Sequence, residues 1–375
     1  MKEMIIESLE LKNYRNYREL KLPFHPGSNL LYGDNAQGKT NILEALYLCA
    51  ATKSHRGSKD RELIRFGEEE AHIRLNLIKN DVPYRIDMHL KKERAKGIAV
   101  NGVPIRRASE LFGTLNVVLF SPEDLSIVKN GPSDRRRFCD MELCQLDRSY
   151  VHSLVNYNKA LLQRNRLLKD LSFEPELAGT LEIWDSQLIR YGSELIRARE
   201  AFIEMLDPLT SAIHGEITSG KEKMRVSYEK NISVPEYEAA MKRAGAADRK
   251  LKTTTVGPHR DDIGFFVNEM DLRKFGSQGQ QRTGALSLKL SEIELMKRAS
   301  GDWPVLLLDD VLSELDTERQ RHLLNAISRT QTVLTSTGME NLMEGHFRID
   351  RKFRIMEGTA EEVLPEQTVE TAIRR

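Results

Sequence analysis

Hydrophobic and polar residues alternate along much of the first 120 positions, a pattern typical of half-buried strands. The earliest runs cover Ile5 and residues 8–14, 19–24 and 29–32, with prolines near the end of the run 19–24. A glycine-rich loop follows residue 32, and a helix-like stretch follows that loop over residues 41–49. This order of strand, loop and helix predicts the beginning of an α/β sheet.

Three further alternating runs cover residues 72–78, 84–90 and 97–103. The last run contains Asn101-Gly102, a strong hairpin turn, so these runs predict an antiparallel meander. The apolar run 115–120 predicts a return to a buried strand.

From about residue 133 to residue 250 the pattern is helical, for example over 150–171 and 182–206, and strand signals largely vanish. Helix breakers interrupt this region: Pro175, Pro208, Gly215 and Gly220. They limit a helix to about 25 residues, or about 40 Å. We therefore expect a short helical lobe rather than a long coiled-coil arm.

The sheet-and-helix pattern resumes after Thr255, which implies that the helical lobe is inserted into one α/β domain. We predict a first part of that domain over residues 1–125, a helical insertion domain over 126–252, and a second part over 253–375. The length of 375 residues is sufficient for this organisation.

Composition excludes several classes of protein. The 57 basic and 56 acidic side chains give a formal charge of +1, so DNA affinity would have to come from a local patch. No apolar run approaches the ~20 residues of a membrane span, and charged residues interrupt the start of the chain, so we expect a cytoplasmic protein without membrane contact. The three cysteines show neither a disulfide framework nor a zinc pattern.

Residues 33–40 form a complete G-x-x-x-x-G-K-[ST] phosphate loop between a predicted strand and a predicted helix. In such a loop the backbone amides and the helix N-terminus surround an anion, Lys39 reaches the outer phosphates, and Thr40 can hold Mg²⁺. The sequence therefore predicts a site for ATP and Mg²⁺. The predicted nucleotide-binding residues of the loop are Gly33, Asp34, Asn35, Ala36, Gln37, Gly38, Lys39 and Thr40.

A second candidate motif is the run 303–310, a buried-strand pattern that ends in two carboxylates, Asp309 and Asp310. Such a run is common in sheets, but together with the phosphate loop it predicts a Walker B strand. We expect Asp309 to hold the metal with Thr40, and Asp310 to orient or deprotonate the attacking water. Lys39, Asp309 and Asp310 are thus the predicted catalytic residues.

Two loops flank this strand in the order found in ABC-type ATPases. Residues 275–281 precede it as a signature loop with Ser277, Gly279 and Gln280, and residues 313–316 follow it as a D-loop ending in Asp316. In that class the signature amides grip the terminal phosphate bound by a second subunit. The order predicts an ATP-dependent homodimer, whereas the alternative reading of 277–281 is a helix cap with a glycine turn.

Seven segments distributed over nearly the whole chain form a specific combination: residues 11–17, 33–41, 53–56, 120–125, 135–138, 257–262 and 277–282. The combination resembles the ABC-type heads of the SMC-like DNA ATPases, and among them the bacterial recombination mediators. The resemblance implies an ATPase that dimerises on ATP and binds duplex and gapped DNA. It also implies that the protein works with RecR and RecO to place RecA on single-stranded gaps.

The sequence departs from the wider ABC pattern at three places. Asp310 stands where most ABC proteins have Glu, residues 116–125 contain no Q-loop Gln, and no switch His follows the predicted strand 332–335. One methylene less at residue 310 changes how closely the carboxylate approaches water, so we expect only weak ATP hydrolysis. If the protein is the DNA-dependent ATPase that the resemblance implies, DNA should stimulate this hydrolysis.

Arginine clusters are the candidate DNA contacts, although a charge run is usually a solvated face. The candidates are Arg106, Arg107, Arg135, Arg136 and Arg137. No base-reading helix is evident, so DNA binding should be sequence-independent and strongly salt-dependent. Arg15 and Arg56 are alternative contacts to nucleotide, and Tyr14 and Tyr17 are either core or stacking residues.

Two other functions remain open at this level. A single phosphate loop is compatible with a small-molecule kinase, which would not need a signature loop. It is also compatible with a scaffold that is held together by ATP and does not hydrolyse it.

Overall fold

The computed structural model describes residues 4–171, 173, 175–338 and 348–363, and it is a mixed α/β fold. The strands are β1 (Met4–Tyr14), β2 (Tyr17–Pro23), β3 (Ser28–Tyr32), β4 (Glu70–Lys79), β5 (Val82–Lys91), β6 (Gly97–Val100), β7 (Val103–Pro104), β8 (Val117–Phe120), β9 (Met224–Glu229), β10 (Asp262–Val267), β11 (Met270–Asp271), β12 (Val305–Leu308), β13 (Thr332–Ser336), β14 (Arg351–Met356) and β15 (Thr359–Glu362). The helices are α1 (Lys39–Ala51), α2 (Leu125–Lys129), α3 (Pro132–Leu146), α4 (Arg148–Asp170), α5 (Leu181–Ile217), α6 (Tyr237–Leu251), α7 (Leu272–Phe275), α8 (Gln278–Ser300) and α9 (Thr317–Ile327).

The central sheet has the order β15-β14-β3-β13-β12-β8 over the described residues. Strands β14 to β8 run parallel, and β15 is an antiparallel edge strand. Strands β8 and β12 are apolar and buried at every position, as expected for parallel strands covered on both faces. Since the carboxyl ends of parallel strands lie at one edge, the loops after β3 and β12 meet there.

The second sheet is antiparallel, with the order β2-β1-β4-β5-β6-β7. The predicted meander is confirmed, and β4 pairs with β5 along its full length. Alternate side chains such as Leu9, Leu11 and Ile73 are buried against α1 and the central sheet. The other face of this sheet is polar, which explains the alternation in the sequence.

The helical lobe lies between β8 and β12 along the chain, and these two strands are direct parallel neighbours in the central sheet. The predicted insertion thus has a structural basis. The boundaries at residues 125 and 252 remain predictions. Strand β9 pairs with β10, which lies beyond residue 252, so residues on both sides of that boundary share one small sheet.

Two predictions for the lobe are wrong. Helix α5 is 37 residues long, or about 55 Å, and Pro208 and Gly215 lie within it instead of ending it. Tertiary packing overrides the local preference here, because α5 buries one face in the lobe core through residues such as Leu195, Phe202 and Leu206. The region also contains the strand β9, although its sequence showed little strand signal.

Helix α8 packs against both the helical lobe and the central sheet. Its residues Ala285, Leu288 and Leu295 pack in the lobe core, whereas Leu286 and Leu290 pack beneath the central sheet. The helix is therefore buried on several sides along its middle, and its exposed residues lie mainly in its first and last turns. Within the described part of the chain, none of the helices has the length and apolar character of a membrane span.

Candidate nucleotide-binding site

The phosphate loop connects β3 to α1 through backbone conformations that favour glycine. Gly33 has φ 146° and Gly38 has φ 114°. A Cβ atom on Gly33 would lie 2.4 Å from the Ile355 carbonyl oxygen, and one on Gly38 would lie 2.6 Å from Asn16 Nδ2. Both glycines of the motif are therefore required by backbone geometry and by close neighbours.

Two side chains hold the loop from outside: Asn16, in the turn between β1 and β2, and Tyr17, the first residue of β2. Asn16 Nδ2 donates to the Gln37 carbonyl at 2.8 Å, and Tyr17 Oη donates to the Gly38 carbonyl at 3.0 Å. Tyr17 is fully buried, as is Tyr14, so both are core residues rather than exposed stacking platforms. Sequence reasoning missed the role of Asn16 and Tyr17, because nothing in the local pattern indicates which loop they contact.

Lys39 is the first residue of α1, and its ammonium lies inside the phosphate loop. Its Nζ donates to the carbonyl oxygens of Gly33 at 2.5 Å and Asp34 at 2.7 Å. Burial lowers the pKa of Lys39, while the nearby carboxylates of Asp310, Asp34 and Asp309 favour the charged form. The two carbonyl oxygens accept hydrogen bonds that phosphate oxygens would accept from this ammonium in the nucleotide-bound protein.

Asp309 follows β12 directly and meets Thr40 at the edge of the central sheet. Its Oδ1 accepts hydrogen bonds from Thr40 Oγ1 at 2.8 Å and from Thr335 Oγ1 at 3.0 Å. A hydroxyl and a carboxylate at this separation fit Mg²⁺, which prefers oxygen ligands and keeps several waters. Thr335, on the strand between β3 and β12, was missed because a threonine within a strand carries no motif.

Asp310 has a left-handed backbone with φ 51°, and its amide donates to Thr335 Oγ1 at 2.9 Å. Burial raises the pKa of its carboxyl, and the negative charge of Asp309 adds to this, whereas Lys39 acts in the opposite direction. A raised pKa is the property that a general base needs near neutral pH.

These residues line one cavity of about 210 Å³, formed by Asn35, Ala36, Gly38, Lys39, Thr40, Asn41, Arg56, Asp309, Asp310 and Thr335. Arg56 thus lines the cavity, which agrees with its interpretation from the sequence as an alternative nucleotide contact. Arg15 does not line this cavity. Its guanidinium forms two 2.8 Å contacts with the buried Glu44 of α1.

The signature and D-loop residues are displayed away from this cavity. Ser277 caps α8: its Oγ accepts from the Gln280 amide at 3.2 Å, and Gln280 Oε1 accepts from the Ser277 amide at 2.9 Å. Ser277 and Gly279 are exposed, and neither lines the cavity of their own chain. Asp316 caps α9 and likewise lies outside the cavity lining.

The five candidate DNA-contact arginines differ in accessibility. Arg106 and Arg107 are exposed beyond β7, and Arg137 is exposed on α3. Arg136 is partly buried and donates to the Asp261 carbonyl at 2.6 Å. Arg135 is buried and donates to both carboxylate oxygens of Asp262, at 2.6 and 2.8 Å. The prediction for Arg135 is therefore wrong in this structure, since a buried and paired guanidinium cannot reach a DNA phosphate.

An ionisable cluster lies beside the end of β8, where the Q-loop Gln is missing. Glu142 of α3 and Lys289 and Glu292 of α8 are buried, Asp124 is partly buried, and Lys289 Nζ lies 2.5 Å from Glu292 Oε2. Burial raises the pKa of Asp124 to about 6 and that of Glu142 to about 7. His55, whose ring nitrogens are buried without a hydrogen-bond partner, lines the same cavity of about 140 Å³.

The fold and the cavity together define an ATPase-type head of the ABC/SMC class. Residues 5–358 match the family described as the RecF/RecN/SMC N-terminal domain. The chain belongs to this family, and within it to the RecF proteins of DNA replication and repair. The expected family is thereby confirmed.

Curated relatives and solved structures agree with this assignment. The DNA replication and repair protein RecF of Lachnoclostridium phytofermentans is 57% identical over 358 residues, covering 96% of this chain and 99% of the relative. The corresponding protein of Lachnospira eligens is 56% identical over 357 residues, covering 95% and 98%.

Among solved structures, the recombination mediator RecF with ATP, from the RecFOR pathway, has a TM-score of 0.90 at 36% identity, covering 96% of this chain and 98% of that one. The Smc head of Pyrococcus furiosus has a TM-score of 0.57 at 17% identity, with 96% of each chain covered, and shows the shared fold alone. The predicted fold class is confirmed.

Proposed function

We propose that the protein is an ATP-dependent DNA-binding protein of recombinational repair and replication, and that its switch is dimerisation on ATP. The observation that carries this proposal is the separation of two half-sites on one chain. Lys39 and Asp309 line the nucleotide cavity, whereas Ser277 and Gly279 are exposed at the N-terminus of α8 and outside that cavity. A second copy of the chain would supply the signature face that one copy leaves unused.

ATP and Mg²⁺ fit the residues at the cavity. The phosphate-loop amides and Lys39 would hold the β- and γ-phosphates, and Thr40 and Asp309 would supply oxygen ligands to the metal. When bound, the metal neutralises charge on the phosphates during phosphoryl transfer. The relative described as RecF with ATP supports this choice of nucleotide.

The amides at the start of α8 suit a terminal phosphate. Ser277 caps the helix, and the exposed Gly279 follows it, so the positive end of a 23-residue helix faces solvent. The capping box and a phosphate-gripping role are compatible, because Ser277 satisfies only part of the first-turn donors. In the proposed dimer, each signature turn faces the Lys39 side of the partner.

Weak hydrolysis would reset the switch. Asp310 lines the cavity next to Asp309, and its raised pKa suits a proton acceptor for the attacking water. Its shorter side chain relative to the usual Glu supports slow turnover. We propose that DNA stimulates this turnover by favouring the dimer.

DNA would be clamped by the ATP-bound dimer through phosphate contacts. Arg106, Arg107 and Arg137 are exposed and can contribute to such contacts, with Arg136 partly accessible. The RecFOR description of the structural relatives supports RecO and RecR as partners in promoting RecA loading at gaps. The proposed DNA ligand is duplex DNA or a single-strand/double-strand junction, without sequence preference.

Light scattering with and without ATP and Mg²⁺ tests the switch. We expect wild-type chain to double in mass with ATP, Lys39→Met to remain monomeric without bound ATP, and Ser277→Arg to bind ATP as a monomer. Lys159→Met, which removes an exposed lysine of the lobe, serves as the matched control. Dimerisation of Ser277→Arg equal to that of wild type would refute the shared site.

Turnover assays separate the two rival functions. Stimulation by gapped DNA, and no phosphorylation of small hydroxyl acceptors, supports the DNA switch over a kinase. Turnover equal to that of Lys39→Met would favour a scaffold without hydrolysis.

A further inference from the structure

The polar face of the antiparallel sheet is organised as rows of side chains that cross the strands. One row contains Lys21, Glu10, Arg74 and Asp87, which are register neighbours on β2, β1, β4 and β5. Successive members have opposite charges and lie 3.4, 3.8 and 2.7 Å apart. This alternation is the arrangement expected of a solvated sheet face.

The adjacent row breaks the alternation. Next to Lys12 of β1 it places His72 on β4 directly opposite His89 on β5. The two imidazole rings stack with centroids 4.1 Å apart and an angle of 22° between their planes. The row thus brings two ring-nitrogen ligands side by side on the exposed face of the sheet.

Glu70 completes the group from the same face of β4. Its Oε2 lies 2.5 Å from His89 Nε2, and Lys91 approaches its Oε1 at 3.7 Å. One ligand atom from each of Glu70, His72 and His89 can be chosen so that all three lie within 4.8 Å of one another. Among the residues that the structure describes, this is the one such group of three potential metal ligands.

We propose that Glu70, His72 and His89 bind a divalent transition metal of the zinc class. Two imidazoles and one carboxylate form an established ligand set for Zn²⁺, with bonds of about 2.0–2.2 Å. Small side-chain rotations would bring atoms now up to 4.8 Å apart to the separations that one ion requires. Each imidazole would bind the ion through an unprotonated ring nitrogen, and a hydrogen on that nitrogen would move to the other ring nitrogen.

The surroundings leave the side chains of this group accessible to a metal ion. Gly97, the register partner of His89 on β6, places no side chain beside the ring. Both histidines line an open basin of about 650 Å³ on this face.

Calorimetric titration of the full, tag-free chain with Zn²⁺, in excess Mg²⁺ to occupy the Thr40–Asp309 site, tests the proposal. We expect one Zn²⁺ per chain. His89→Ala and His72→Gln should each weaken binding at least about tenfold, because even loss of an outer-shell partner commonly costs that much. His152→Ala, at an exposed position of α4, is the matched control and should bind as wild type does.

Co²⁺ substitution provides a readout that is independent of variant stability. Direct coordination by the imidazoles should produce the intense visible absorption of four-coordinate Co²⁺, and Zn²⁺ should abolish it. The three cysteines are buried, so thiolates do not compete. Absence of Zn²⁺ binding to the wild-type chain, or equal affinity in the His89→Ala chain, would overturn the proposal. Lys39→Met should still bind Zn²⁺, so the metal-site proposal and the nucleotide-switch proposal can be refuted independently of each other.

Discussion

Arg319, at the start of α9, donates hydrogen bonds to Thr283 Oγ1 on α8, at 2.6 Å from Nη2 and 3.0 Å from Nε. Its Nη2 also lies 3.3 Å from the Gly279 carbonyl in the signature turn. The same guanidinium forms an ion pair with Asp316, the last residue of the D-loop. One side chain therefore links the loop after Walker B to the exposed turn that we propose to face the partner's nucleotide.

Replacing Arg319 with Ala should weaken ATP-dependent dimerisation by roughly tenfold, about 1.4 kcal/mol, because Gly279 and Asp316 lose a common support. ATP binding to the monomer should remain, since Arg319 does not line the nucleotide cavity. Sedimentation equilibrium over a range of protein concentrations measures the dimer constant. Arg321→Ala, an exposed position of the same helix, is the control. Unchanged dimerisation of Arg319→Ala would show that the link has no role in assembly.

Replacing Asp310 with Asn should reduce ATP turnover by about a hundredfold or more, the usual contribution of a general base. Asn tolerates the left-handed backbone at φ 51°, so the loop geometry should persist. ATP binding should be retained, and the dimer should outlast that of wild type after ATP addition. Phosphate release and light scattering measure the two effects. Asp81→Asn, an exposed residue with φ 62°, controls for the substitution itself, and full turnover in Asp310→Asn would exclude Asp310 as the base.

The conformation of motifs that are contiguous in sequence could be predicted, because it depends on the local backbone. The phosphate loop, the Walker B strand and the cap at Ser277 are of this kind. Thr335 and Asn16 could not be predicted, since each acquires its role from a partner that is distant in sequence. Asn16 contacts Gln37 across 21 positions, and Thr335 contacts Asp309 across 26.

The three adjacent arginines of α3 show a second limit of sequence reasoning. Successive residues of a helix point about 100° apart. Arg135 consequently meets Asp262, while Arg137 remains exposed. A run of basic residues in the sequence does not reveal which of them pairs with a carboxylate in the folded protein. In α5, likewise, packing of the helix on the lobe core outweighed the signal of Pro208.

Protonation of Glu142 should make stability depend on pH. Burial raises its pKa from 4.5 to about 7 in the folded protein. The folded state therefore retains this proton at higher pH than the unfolded state does. Its stabilisation is complete below pH 4.5 and is lost as pH rises through about 7.

Relative to Glu142→Gln, the wild-type chain should lose roughly 2–3 kcal/mol of unfolding free energy between about pH 5 and pH 8. Urea unfolding of both proteins across this range measures the difference in unfolding free energy. The contributions of the histidines cancel in this difference, because both proteins contain them. Glu216→Gln, at an exposed position, should follow the wild-type profile. Parallel profiles for wild type and Glu142→Gln would contradict the raised pKa.

Replacing Arg106 and Arg107 together with Ala should weaken DNA binding uniformly across sequences. If both arginines contact phosphates, the slope of log affinity against log salt should become shallower by up to about 1.8. Fluorescence anisotropy with duplex and gapped DNA at several salt concentrations, in the presence of ATP, measures the slope. Arg166→Ala with Arg190→Ala removes the same charge from exposed positions of the lobe. An unchanged slope for the Arg106/Arg107 variant would remove this pair from the DNA surface.

The turn between β1 and β2 has a thermodynamic consequence for nucleotide capture. Asn16 and Tyr17 already hold the Gln37 and Gly38 carbonyls, and Gln37 in turn accepts from the Glu357 amide. The polypeptide around the phosphates is thus preorganised by the surrounding fold. Little ordering entropy remains to be lost on ligand arrival, so binding energy is available for recruiting the second protomer.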